Sequence, residues 1–302
     1  MPRTRRRLLL LATTIVCTAI ATLASPTASG ASWWPWQQGG SNCGNTVYKA
    51  DGSKWSCTFD DEFNGNGLDT SKWTVQQTTT SGYTTGPLGS QVCYVNSRNN
   101  VNVASGYLNL TVRTESGPVS CGALPTQYTG GTVSGYGTFS QTYGRFEVRA
   151  KAPAATVAGL QESFWLWPVN SSKYGPEPTS GEIDFAELFS SLPTLAVPTV
   201  HYTSATPDSS ATSYKCTIGN ANLFHTYALE WTPTSLSFIY DGTACLVDHW
   251  KAAAPLTGSA PFDSPFFLVL TQALGVGPSN TFAPGSTPLP ATTQVDYVHI
   301  WK

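Results

Sequence analysis

Three acidic residues, Glu182, Asp184 and Glu187, lie within six positions of a chain that is otherwise poor in charge. Asp, Glu, Lys and Arg together make up only 11% of the 302 residues. Carboxylates that share one site repel each other, so placing three together costs free energy and indicates a use. Cleavage of a glycosidic bond needs such a set, because one carboxylic acid protonates the leaving oxygen while a carboxylate attacks the sugar or activates water.

The pattern around these acids predicts a β-strand with one irregularity. On a strand, Glu182 and Asp184 share one face, while Ile183 faces the other side with the core. Glu187 has the wrong parity for the acidic face. We therefore expect a β-bulge near residues 185–186, which would return Glu187 to the side of the other two acids.

Two other interpretations of the acid cluster stay open at this point. Charged residues on a strand are most often a solvated face. A calcium site is also conceivable, although calcium prefers more oxygen ligands than one strand offers.

The composition predicts a globular β-protein. Gly contributes 27 positions and Pro 21, a turn-rich balance that excludes a helical bundle or coiled coil. Hydrophobic residues make up 40%, enough for a large core, so wholesale disorder is excluded. Short alternating runs such as Phe146, Val148 and Ala150 predict an antiparallel two-sheet sandwich.

Residues 1–31 have the features of a secretory signal peptide. Four arginines precede an apolar run from Leu8 to Ala24. An uncleaved anchor is disfavoured because threonines interrupt the run and no basic stop-transfer cluster follows. Cleavage would change the formal net charge from −2 to −6, so we expect no nucleic-acid or membrane partner. The signal peptide predicts a secreted, extracellular protein, which we expect to be a monomer. We divide the remainder into an N-terminal extension at 32–54, with a disulfide hairpin, and one β-sandwich domain at 55–302.

Six cysteines remain after signal cleavage, and an even number in an exported chain predicts three disulfides. A zinc site is disfavoured because no C-x-x-C spacing occurs. Fifteen pairings are possible. We favour the sequence neighbours, which close local loops: Cys43–Cys57, Cys93–Cys121 and Cys216–Cys245.

The acidic segment resembles the E-x-D-x-x-E signature of glycoside hydrolase family 16, in the bulged form of β-1,3-glucanases (laminarinases) and many galactan-cleaving relatives. Further segments resemble family landmarks in the expected order: Phe59–Phe63 with Leu68–Trp73 (D-E-F and L-D-x-x-K-W), Tyr143–Arg149 (Y-G-R-F-E-x-R), Phe224–Trp231, Asp241–Gly242, Pro265–Leu270 and Val295–Val298.

The resemblance implies an all-β jelly-roll sandwich with a concave substrate cleft, and retaining hydrolysis of internal β-linkages in a polysaccharide. By motif position, Glu182 is the nucleophile, Glu187 the acid/base and Asp184 the assisting carboxylate. No organic cofactor is implied. Some relatives carry a structural calcium ion, for which Glu62 and Asp296 are candidate ligands.

The resemblance also suggests five substrate-binding residues. Trp165 matches the aromatic residue of an F-W-L strand, and its parity directs it to the cleft; a buried core tryptophan is the alternative. The others match positions near the sugar or the cleft edge: His201, Asn100, Arg98 and Gln272.

Two segments depart from the family pattern. Residues 161–163 read Q-E-S where W-P-A is usual, and residues 271–275 differ from the usual N-L-A-V-G-G stretch. Both are expected near the cleft, so they leave the identity of the substrate open. The three acids are intact, so the expected chemistry is less affected. The main expectation is cleavage of β-1,3-glucan; a galactan-cleaving hydrolase, a transglycosylase and a non-catalytic carbohydrate-binding sandwich are the alternatives.

Overall fold

The computed structural model describes residues 42–122 and 124–302, and regular structure there is almost entirely β-strand. The predicted signal peptide and the first part of the predicted extension, residues 32–41, lie outside the described residues. The elements in chain order are β1 (Cys57–Asp61), β2 (Thr74–Val75), α1 (Thr78–Ser81), β3 (Val92–Tyr94), β4 (Val101–Ala104), β5 (Tyr107–Cys121), β6 (Leu124–Gly130), β7 (Thr132–Ser134), β8 (Gly144–Lys151), β9 (Leu160–Pro168), β10 (Glu182–Phe189), β11 (Val197–His201), β12 (His225–Trp231), β13 (Leu236–Tyr240), β14 (Thr243–Asp248), β15 (Phe266–Leu274) and β16 (Ala291–Trp301).

These strands form the two-sheet sandwich that the sequence predicted. One sheet has the order β14-β13-β12-β8-β16-β5-β6-β3, with β1 added beside β16 and β4 beside β5. The other has the order β11-β10-β9-β15-β7-β2. The strand pairs are antiparallel except for β3 with β6. The acidic strand β10 lies near one edge of the six-stranded sheet, between β9 and β11.

The core between the sheets is rich in aromatic side chains. The Phe164 ring on β9 lies 5.4 Å from Tyr227 on β12, and Trp231 lies 5.3 Å from Phe266 on β15. Burying each such ring stabilises the fold by about 1.5–3 kcal/mol relative to leaving it exposed. Strands β9, β10 and β15 therefore rest on a closely packed layer, and only their outer face is available for chemistry.

The three predicted disulfide pairs are confirmed, with Cα–Cα distances of 5.6, 5.9 and 5.6 Å along the chain. Cys43–Cys57 ties the segment before β1 to that strand, and the described residues from Asn42 onward belong to one compact unit. Cys93–Cys121 joins β3 to β5, and Cys216–Cys245 joins the segment after β11 to β14.

The candidate calcium ligands already have partners. Glu62 Oε1 lies 2.5 Å from His299 Nε2, and Asp296 pairs with Arg149. Two carboxylates engaged with separate cationic or imidazole groups do not make the oxygen cage that calcium needs, so this pair does not fit the ion. Across residues 42–122 and 124–302, no cluster of three or more His, Cys, Asp or Glu is arranged to hold a metal.

Helical structure within the described chain is limited to α1, which has four residues. No helix there has the length and apolar character of a membrane span.

Candidate active site

Strand β10 contains the predicted bulge, at Phe185. Asp184 pairs with Trp165 on β9, whereas Ala186 pairs with Phe164, so two steps along β10 match one step along β9. The pairing with β11 shifts over the same stretch. Phe185 is therefore the extra residue of the strand.

The bulge turns two successive side chains into the core and so brings the third acid to the face of the other two. Ile183, Phe185 and Ala186 all belong to the buried core cluster. Glu182 and Glu187 consequently project from the opposite face, together with Asp184. A regular strand would have sent Glu187 into the apolar interior.

An ion pair stabilises the charge of the central acid. His201 Nε2, at the end of β11, lies 3.0 Å from Asp184 Oδ2. The hydrogen bond that the His201 imidazolium donates to Asp184 raises the pKa of His201 to about 9. Burial raises the pKa of Asp184, and the His201 imidazolium opposes that rise. At neutral pH we assign the pair as imidazolium and carboxylate, with little net charge.

Both glutamates hold their protons more tightly than usual. Burial is the main cause and the charge of Asp184 the second; together they raise the pKa of both Glu182 and Glu187 well above the usual value of 4.5. Near neutral pH at least one proton therefore resides on the pair. Burial contributes more to this proton retention than the anionic neighbours do, and it acts on both glutamates.

The two glutamates differ in their hydrogen bonds. Glu187 Oε1 accepts from Gln161 Nε2 at 2.8 Å, and its Oε2 accepts from Thr199 Oγ1 at 3.0 Å. No hydrogen bond to Glu182 contributes to its pKa. Neither Gln161 nor Thr199 was among the predicted site residues. Strand parity could have found both, because Gln161 lies on the same face of β9 as Trp165, and Thr199 lies on the same face of β11 as His201.

An aromatic surface adjoins the acids on the same side of the sheet. Trp165 is 9% exposed, and its indole N–H donates to Thr271 Oγ1 at 3.1 Å. Its ring lies 5.7 Å from Tyr83 and 5.9 Å from Trp167, outside the main core cluster. The predicted orientation of Trp165 is thus observed. Tyr83, from the segment after α1, was not foreseen, because an aromatic residue in a non-periodic loop gives little signal.

The structure corrects the placement of Gln272. This residue is 0% exposed; its Nε2 donates to Glu162 Oε1 at 2.8 Å, and its Oε1 accepts from Thr293 Oγ1 of the opposing sheet at 2.7 Å. The side chain thus lies between the sheets, on the opposite face of β15 from Thr271. Glu162, expected near the cleft, also points into the core.

Asn100 and Arg98 do not join the acids. Asn100 is 1% exposed, and its amide donates to Thr111 O at 3.1 Å and to Thr129 Oγ1 at 3.0 Å. These contacts give Asn100 a structural role, which corrects the expectation that it faces substrate. Arg98 is exposed in the turn before β4, and its contact with substrate stays a prediction.

The chain is similar to proteins of known family. Residues 88–270 match the family model for Glycosyl hydrolases family 16. The chain is 34% identical over 262 residues to glucan endo-1,3-beta-glucosidase A1 of Niallia circulans, covering 81% of this chain and 37% of that protein. It is 30% identical to the keratan-sulfate endo-1,4-beta-galactosidase of Sphingobacterium multivorum, covering 81% and 54%. The chain thus spans about a third to a half of these two relatives.

A solved structure supports the same relationship. The laminarinase from Rhodothermus marinus superposes with a TM-score of 0.68 at 28% identity, over 82% of this chain and 97% of that one.

Proposed function

Because the chain belongs to glycosyl hydrolases family 16, we propose that it is an endo-acting, retaining hydrolase that cleaves internal β-1,3 linkages of a glucan. The observation that carries the proposal is the bulged strand β10, which gathers two glutamates with raised pKa values on one face. A carbohydrate-binding sandwich without turnover would have no need for that arrangement.

In the first half-reaction, a Glu182 carboxylate oxygen attacks the anomeric carbon as the bond to the leaving oxygen breaks. Glu187 gives its proton to that oxygen, so the departing sugar leaves as a neutral alcohol. The products are a glycosyl ester on Glu182 and an ionised Glu187.

In the second half-reaction, Glu187 acts as the base. It takes a proton from water, whose oxygen attacks the anomeric carbon and releases Glu182 as a carboxylate. The proton returns to Glu187, which restores the starting state. The ion pair of Asp184 with His201 lies beside both glutamates and contributes fixed charges of opposite sign.

The aromatic surface supplies a binding platform for sugar rings. Sugars expose flat faces of C–H bonds, which pack well on aromatic rings. Trp165, Trp167 and Tyr83 adjoin one another beside the acids, so we assign them to contacts with substrate.

For the substrate, we favour β-1,3-glucan because the glucanase relative and the laminarinase structure both point to it. A β-galactan is the second candidate, since the keratan-sulfate galactosidase is 30% identical. Export fits the predicted signal peptide and the three disulfides. We therefore propose that the enzyme acts outside the cell.

The stereochemistry of cleavage tests the proposed mechanism. We expect the first product to have the β-configuration, because a direct attack followed by hydrolysis inverts the anomeric carbon twice. Proton NMR during the first minutes of laminarin hydrolysis would show the β-anomer before mutarotation. An initial α-anomer would mean single inversion through water and would overturn the mechanism.

A substrate panel tests the specificity. Laminarin, mixed-linkage β-glucan, keratan sulfate and agarose would be compared by reducing-sugar release and by the size of the products. We expect the highest kcat/KM on laminarin, with oligosaccharides of intermediate length appearing early. Preference for keratan sulfate would favour the galactan alternative, and larger transfer products would identify a transglycosylase.

Replacing Asp184 by asparagine should move the pH profile to lower pH. The Asp184 charge raises the pKa of both glutamates, so its removal lowers both. We expect both limbs of kcat/KM against pH to shift down, and kcat to fall less than in either glutamate variant. An unchanged profile would show that Asp184 does not communicate electrostatically with the pair.

A further inference from the structure

We propose that Gln161 is a positioning residue that assigns the catalytic proton of Glu187 to one oxygen, Oε2. The inference rests on the proposed function, in which Glu187 is the acid/base. It concerns a position where this chain departs from the tryptophan that its family usually carries.

The carboxyl group of Glu187 is held from both sides. Gln161, on β9, reaches Oε1, and Thr199, on β11, reaches Oε2. In the strand register, Gln161 pairs with Phe189, two residues beyond Glu187 on the same face, and Thr199 pairs with Asp184. The two donors thus approach from the strands that flank β10, and the carboxyl plane is fixed between them.

The two donors differ in whether they allow a proton on the oxygen of Glu187 that each contacts. The amide nitrogen of Gln161 can only donate, so Oε1 must remain an acceptor for as long as this bond exists. The hydroxyl of Thr199 can donate or accept by rotating its hydrogen. When Glu187 is protonated, the proton therefore belongs on Oε2, beside the group that can adjust to it.

This arrangement suits a residue that must act as acid and then as base. Hydrogen bonds from Gln161 and Thr199 favour the ionised form and oppose the effect of burial on the pKa of Glu187. Loss of the Gln161 donor should free both oxygens for the proton and raise the pKa of Glu187.

The test uses Gln161→Met, which keeps an unbranched side chain of similar length but removes the donor. Gln161→Ala serves as a second variant, should the methionine disturb folding. Gln76→Met is the matched control, because Gln76 donates to Ser134 Oγ at 2.6 Å next to an edge strand of the same sheet. Thermal unfolding would establish that each variant is folded.

Each protein is assayed for kcat/KM on laminarin and on a 2,4-dinitrophenyl β-laminari-oligosaccharide, across the pH range. The aryl leaving group departs with little need for protonation, so only the laminarin reaction depends on the acid. We expect Gln161→Met to lower kcat/KM on laminarin by about 10-fold or more and to lower it much less on the aryl substrate. The basic limb of the pH profile should shift to higher pH. Gln76→Met should match the unmodified enzyme.

Two failures can be told apart. The role of Gln161 is overturned if Gln161→Met lowers kcat/KM equally on both substrates, or if the basic limb of its pH profile does not move. This conclusion requires that Glu187→Gln lowers kcat/KM far more on laminarin than on the aryl substrate. If Glu187→Gln itself fails to discriminate, the assignment of Glu187 as acid/base is wrong, and the proposed function fails with it.

Discussion

Replacing Glu182 or Glu187 by glutamine is expected to lower kcat on laminarin by about 10³-fold or more. Each change removes an interaction that exists only in the transition state, either the attacking carboxylate or the proton donor. Glutamine has nearly the same size and shape, so the loss would come from chemistry and not from packing. Reducing-sugar assays at the optimum pH would measure it.

The same two variants should be at least as stable as the unmodified protein. Burial and the charge of Asp184 disfavour the charged forms of both acids, and a neutral amide removes that cost. Glu230→Gln, on β12 of the other sheet in an ion pair with Arg145, is a matched control and should retain full activity. Ordinary turnover by either active-site variant would refute the assignment.

Glu162→Gln is expected to stabilise the fold by several kcal/mol at pH 8 and hardly at all near pH 4. Glu162 is 1% exposed, and burial raises its pKa from 4.5 to about 8. At pH 4 both the folded and the unfolded chain carry the proton, so the group is neutral in each. Between pH 4.5 and about pH 8, only the unfolded chain loses the Glu162 proton. The free energy of unfolding therefore falls by about 1.4 kcal/mol for each unit by which the pH rises.

Glutamine at position 162 keeps an oxygen that can accept from Gln272 but cannot ionise. Urea titrations at several pH values from 4 to 8 would therefore show a smaller decline in stability for this variant. Glu230→Gln serves again as the control, since it removes a carboxylate from the outer surface. If all three proteins decline in parallel, Glu162 does not contribute to the pH dependence.

The strands that alternate were the predictable part of the site. In β10, acidic and apolar residues alternate clearly enough to give the position of the bulge and the grouping of the three acids. In β9, strand parity gave the facing of Trp165 once the family resemblance had singled it out. The disulfides followed from sequence proximity. These features depend on local periodicity, which a single sequence records directly.

Strand β15 could not be read in the same way. All nine of its residues are buried, so no alternation distinguishes its two faces, and Gln272 was assigned to the wrong one. Resemblance to a family gives a position along the chain but not the side on which a substituted residue points. Tyr83 was missed for a different reason, because its place beside Trp165 depends on a loop whose path is set by tertiary contacts.

The hydrogen bonds of Gln272 have a further consequence for the alignment of the two layers. Apolar contacts between the sheets impose no particular direction, because the hydrophobic effect is not directional. Gln272 bonds to Glu162 within its own sheet and to Thr293 in the other, and such bonds weaken steeply with distance and angle. Its neighbour Thr271 anchors the indole of Trp165 on the outer face. The hydrogen bonds of Gln272 inside the sandwich thus fix β15, and with it the indole of Trp165, relative to the opposite sheet.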